Sequence, residues 1–153
     1  MGLKIARAAL IAAIYIVLCF ALQPLSYGVV QVRFAESLTL LPMLFPEAVP
    51  GLFIGALVAN SFSPLGIVDI LGGSLATLAA AYVTFRFKDS WLGYLSPVIF
   101  NAVFVSLYLH VFFEWPYWAT VVSIGLSEAL VVFSLGNFLI KSLRSYIQTG
   151  KFR

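Results

Sequence analysis

Charge is what this sequence has least of. Only 10% of its 153 residues are Asp, Glu, Lys or Arg, where a soluble domain carries about a quarter. Such a chain cannot cover a water-facing surface, and a soluble enzyme and a disordered chain are both excluded. It has one cysteine, Cys19, so no intrachain disulfide forms. With one histidine besides, it lacks the ligands of a conventional zinc site, and no cofactor is expected. There is no GxxxxGK[ST] loop for nucleotide phosphates, and no HExxH or GxSxG motif. A basic stripe that would hold nucleic acid is missing as well.

What is abundant is apolar: 62% of residues are hydrophobic, and mean hydropathy is +1.04. The apolar runs are continuous rather than alternating, which selects membrane helices over a β-barrel. At ~20 residues per span, six spans leave about 33 residues for connections, and seven leave almost nothing. The expected fold is therefore an all-α integral membrane protein with six transmembrane helices in a single domain, residues 1–153. The spans are predicted near Ile5–Leu22, Phe34–Phe45, Gly51–Phe62, Ile70–Phe85, Leu92–Phe113 and Tyr117–Ile140, followed by a basic polar tail. The first stretch resembles a signal peptide but lacks a clear cleavage pattern, and it reads as a span. The second is short of a ~30 Å hydrocarbon core, and Pro42, Pro46 and Pro50 should kink or break it.

With the N-terminus in the cytoplasm, Lys4, Arg7, Arg86, Lys88, Lys141, Arg144, Lys151 and Arg153 fall inside and only Arg33 outside. This positive-inside asymmetry requires an even number of spans and puts both termini in the cytoplasm. Trp115 and Trp118 would mark the outer interface and Trp91 the inner one.

A charge within hydrocarbon costs ~2.5–3.5 kcal/mol on insertion scales and needs a reason. Glu128 lies ~16 Å from the outer end of its span by helical rise, and Asn101 ~15 Å from the inner edge, on consecutive antiparallel helices. Together they can read a polar planar ligand, or simply hydrogen-bond each other. A second group is Gln31, Arg33 and Glu36 at the start of the proline-broken span. It either lines a transport site or forms a local ion pair with Glu36 compensating the helix dipole. Asn60, near the outer end of span 3, is a further candidate for substrate binding. Asp69 reads as a helix cap and Glu47 as a solvated turn residue. Ala8/Ala12 and Ala9/Ala13 form small-xxx-small ridges that serve internal packing or hold another membrane subunit. Gly51 and Gly55 form a similar pair for internal packing.

The segments QVRFAESLTLLP, PEAVPGLFIG and SPLGIVDILGGSLATL, with PVIFNAVFVSLYL and IGLSEALVVFSLG, resemble the QueT family over nearly the whole chain. That family comprises queuosine-precursor S components of energy-coupling-factor (ECF) transporters. The resemblance implies a six-helix substrate-binding subunit in the cell membrane of a prokaryote. It implies a transmembrane coupling subunit and two cytoplasmic ATPases as partners, and a substrate such as 7-aminomethyl-7-deazaguanine. Carboxylates suit that ligand's donors and its ammonium, so Glu36 and Glu128 would take its two ends and Asn101 its carbonyl edge. Tyr108, seven residues from Asn101, would stack on the ring. An alanine ridge of span 1 would dock the coupling subunit, in one of the two registers. An S component for another vitamin-like solute, a stand-alone transporter with Glu128 as proton carrier, and a ligand-free structural subunit remain the alternatives.

Overall fold

The computed structural model describes residues 1–22, 33–88 and 90–149, and every regular element among them is helical. We number the helices α1 (Gly2–Ala21), α2 (Phe34–Met43), α3 (Ala48–Asn60), α4 (Ile67–Arg86), α5 (Trp91–Phe113) and α6 (Tyr117–Gln148). Four of them, α1, α4, α5 and α6, are long and apolar enough to cross a membrane. α2 and α3 are not: ten residues of 3₁₀ helix and thirteen of α-helix each rise only ~20 Å.

α2 occupies the middle of the bundle. Every residue from Ala35 to Met43 is buried, and α2 touches each of the other five helices. A 3₁₀ run of this length is uncommon, and local hydroxyls support it. Thr39 Oγ1 donates to the Glu36 carbonyl at 2.5 Å and Ser37 Oγ to the Phe34 carbonyl at 2.7 Å. Pro42, which has no N–H to give, comes just before the helix stops at Met43, as its sequence position predicts.

Small residues set how closely the helices approach. A Cβ on Gly51 would lie 2.6 Å from the Ala8 carbonyl oxygen, and one on Gly55 would lie 3.2 Å from Ala12 Cα. α1 and α3 therefore run parallel in close contact, and the Ala8/Ala12 ridge is used inside the chain. Ala9 and Ala13 lie on the exposed face of α1.

α5 and α6 each contain one π-turn, over Asn101–Val105 and Val132–Gly136. Pro97 within α5 removes the hydrogen bond that would run back to the Gly93 carbonyl. Other donors take over that carbonyl: Thr84 Oγ1 of α4 at 2.9 Å and Ser96 Oγ at 3.3 Å. The proline thus fastens α5 to α4.

Several boundaries differ from the sequence reading. α3 starts at Ala48 rather than Gly51, because Pro50 fits the first turn of a helix, where its missing N–H costs nothing. α4 starts at Ile67 rather than Ile70, with Gly66 at φ 65° turning the chain into it. The basic tail is helical as far as Gln148. Ile140 is buried, and Leu139 and Leu143 pack on the core, while Lys141 points outward.

Candidate polar site in the bundle core

The polar residues singled out in the sequence converge. Arg33, Glu36, Asn60, Asn101, Tyr108 and Glu128 are all buried, each at most 9% exposed. Gln31 lies outside the described residues. α2 brings in Glu36, with Arg33 at its N-cap, α3 brings Asn60 in its last turn, α5 brings Asn101 and Tyr108, and α6 brings Glu128.

Asn101 and Glu128 meet as their depths predict: Asn101 Nδ2 donates to Glu128 Oε1 at 3.3 Å. Arg33 and Glu36 do not form the local ion pair that their spacing allows. Arg33 Nη2 instead reaches α3 and donates to Asn60 Oδ1 at 2.9 Å, and Asn60 Nδ2 donates to Ser74 Oγ of α4 at 3.2 Å. Glu36 Oε1 accepts from the Tyr15 hydroxyl of α1 at 2.5 Å. The two halves of the network come from helices in direct contact, since α2 packs against α6.

Tyr15 and Asp69 are members that the sequence reading missed. Tyr15 falls on the buried stripe of α1 with Ile11 and Cys19, and that four-residue periodicity was the available signal. Asp69 does not cap α4: Gly66 holds the N-cap, and Asp69 turns inward to accept a hydrogen bond from the Tyr108 hydroxyl. A Cβ on Gly73 would lie 2.8 Å from Asn60 Nδ2, 2.9 Å from Asp69 Oδ1 and 3.4 Å from the Tyr108 hydroxyl. Glycine at this position is what lets three polar groups from three helices come together. Glu47 stands in the turn before α3 as expected, but it is not solvated: its side chain is 9% exposed and accepts from Arg7 Nη1 at 3.3 Å, outside this network. His110 sits at the exposed end of α5, with Nδ1 2.7 Å from the Trp115 carbonyl oxygen.

The network is incomplete in one respect. Arg33 Nε, Glu36 Oε2, Asn101 Oδ1 and Glu128 Oε2 are buried with no hydrogen-bond partner among the described residues, as is Ser106 Oγ. Leaving one buried polar atom unpaired costs ~1–3 kcal/mol, and more when it is charged. Five of them together approach the whole net stability of a typical domain. Four of the five belong to residues that the sequence pattern had already marked. Two recesses on the bundle lie away from this network. One of ≈ 380 Å³ opens beside Lys88, and an apolar one of ≈ 530 Å³ lies between α4 and α5; of the site residues only Tyr108 borders either.

The family model described as QueT transporter matches residues 5–145. The chain belongs to the QueT transporter family. It is thus a transporter rather than an enzyme, and family and apolar helices together make it a membrane protein acting on a small molecule. No curated protein and no solved structure matches this QueT-family chain.

Proposed function

We propose that this chain is the substrate-binding S component of an ECF importer and that it takes up a queuosine precursor of the aminomethyl-deazaguanine type. The observation that carries the reading is the set of unpaired atoms around Arg33, Glu36, Asn101 and Glu128. Two carboxylate oxygens and an amide oxygen accept, and one guanidinium N–H donates. A deazaguanine offers the complement: N–H donors on its pyrimidine edge, one carbonyl, and an ammonium on its arm. Asn101 directs one amide N–H to Glu128 and leaves Oδ1 unpaired, so that oxygen suits a ligand N–H, and the ligand carbonyl falls to Arg33 Nε. Glu36 and Glu128 take the ammonium and the remaining donors. Tyr108 supplies a ring beside the site, with its hydroxyl tied to Asp69.

In this reading the chain spans the membrane six times with both termini in the cytoplasm, α2 and α3 completing the four long helices. Energy comes from two ATPases through a coupling subunit. That subunit docks on the Ala9/Ala13 face of α1, because Ala8 and Ala12 already face Gly51 and Gly55.

The test is calorimetric titration of the purified chain with 7-aminomethyl-7-deazaguanine. Glu36→Gln and Glu128→Gln should each weaken binding roughly ten- to a hundredfold, the effect of one charge-assisted hydrogen bond of ~1.5–3 kcal/mol. Glu114→Gln, at an exposed position, should leave it unchanged. Wild-type affinity in both buried variants, with the fold intact, would place the ligand elsewhere. Uptake that persists in cells lacking the ATPases would refute the S-component role.

A further inference from the structure

From the recess between the start of α5 and the last turns of α6, we infer a specific site for an anionic phospholipid, separate from the polar core. The recess holds ≈ 380 Å³. Lys88 borders it from the segment after α4, and Arg144 borders it from α6. These two cations come from segments far apart in sequence and meet at one opening, which suits a phosphate diester. Ser90 and Asn137 add a hydroxyl and an amide for the glycerol or headgroup oxygens. Asp89, between Lys88 and Ser90 in sequence, lies outside the described residues.

The rest of the wall is aromatic. Phe133 lies 6.1 Å from the Trp91 ring and 6.4 Å from the Tyr94 ring, the latter pair stacked with planes nearly parallel at 12°. Along α6 the order is Phe133, Asn137, Arg144, so the lining changes from apolar to amide to cation. Asn137 to Arg144 covers ~10 Å of helical rise. A phospholipid has the same sequence of chemistry: acyl chain, glycerol ester, phosphate. A free phosphate would leave the aromatic wall unused, and a zwitterionic lipid would bring its own cation toward Lys88 and Arg144. Trp91 is 73% exposed at the mouth, as expected of a ring that lies among headgroups. Basic recesses between membrane helices are recognised sites for anionic headgroups.

The experiment is native mass spectrometry of the detergent-purified full chain, titrated separately with dioleoyl phosphatidylglycerol, dioleoyl phosphatidylcholine and inorganic phosphate. Phosphatidylglycerol should bind as a discrete adduct and the other two should not. The double variant Lys88→Gln/Arg144→Gln should weaken that adduct roughly thirtyfold, the effect of two cations on one anionic headgroup. Lys4→Gln/Lys141→Gln removes two cations outside the recess and should change affinity less than about twofold. If the double variant fails to fold, Asn137→Trp fills the recess without altering charge and should abolish the adduct. Equal binding of phosphatidylcholine, equal binding of inorganic phosphate, or phosphatidylglycerol binding that survives the recess variants would each overturn the assignment.

Discussion

Replacing Tyr15 by Phe removes one oxygen and leaves the ring in place, so the packing change is small and the electrostatic change dominates. Tyr15 and Glu36 are both fully buried, and their hydrogen bond is 2.5 Å long. Glu36 Oε2 has no partner among the described residues, and there Tyr15 supplies the one side-chain hydrogen bond this carboxylate receives. A hydrogen bond to a charged group contributes ~1.5–3 kcal/mol net, and Tyr15→Phe should destabilise the ligand-free protein by about that amount. For a chain of this size, ~1 kcal/mol moves the melting temperature by roughly 2–4 °C, so a fall of about 3–12 °C is expected. Scanning fluorimetry on the purified chain gives the shift. Tyr82→Phe, at an exposed position on α4, serves as the control and should stay within about 0.5 kcal/mol of wild type. A double-mutant cycle with Glu36→Gln isolates the pair, and its coupling energy should carry most of the Tyr15→Phe loss. Additive effects of the two substitutions would show that Tyr15 stabilises the bundle by packing alone, and the reasoning about Glu36 would fail.

Other outcomes follow from the same geometry. Gly73→Ala should separate Asn60, Asp69 and Tyr108 and weaken ligand binding at least tenfold, whereas Gly125→Ala, whose Cβ meets only the Ala102 methyl at 3.5 Å, should bind as wild type in the same titration. Gly51→Leu should push α1 off α3 and cost about 1–3 kcal/mol or more, read as a lowered melting temperature. Ala9→Leu and Ala13→Leu should melt like wild type yet reduce copurification with the coupling subunit, and full assembly of both variants would remove the outer face of α1 as the docking surface. Reporter fusions after Lys88 and at the C-terminus should both read cytoplasmic, and an external signal at either would reverse the topology.

The candidate site was legible in the sequence because a membrane makes polar residues conspicuous. Glu128, Asn101, Glu36, Arg33 and Asn60 stand out against apolar neighbours, and helical rise alone put Asn101 and Glu128 at one depth. Partners were harder to read. Arg33 and Glu36 are three residues apart, a spacing that favours a pair in an α-helix. In the structure Arg33 reaches Asn60 while Glu36 turns to Tyr15, and which neighbours stand around α2 is set by the packing of distant segments. Asp69 was misread because an acidic residue near a helix start has a common local explanation. Its inward turn depends on Tyr108, 39 positions away. The register of the α1 ridge is likewise set by a distant segment, α3, since Ala8/Ala12 and Ala9/Ala13 are equivalent as spacings.

The position of α2 has a consequence for how the protein is made. Lipid holds an isolated segment only if it is long and apolar enough to satisfy itself, and ten residues that include Glu36, Ser37 and Thr39 are neither. α2 therefore cannot enter the bilayer as an independent unit ahead of its neighbours. Its walls include α4, α5 and α6, which the ribosome delivers later. The packing of α2 is therefore complete only once the last helix is in place. A truncation that stops before α6 should leave one side of α2 uncovered and lower the level of the protein, measured by immunoblot against the full chain.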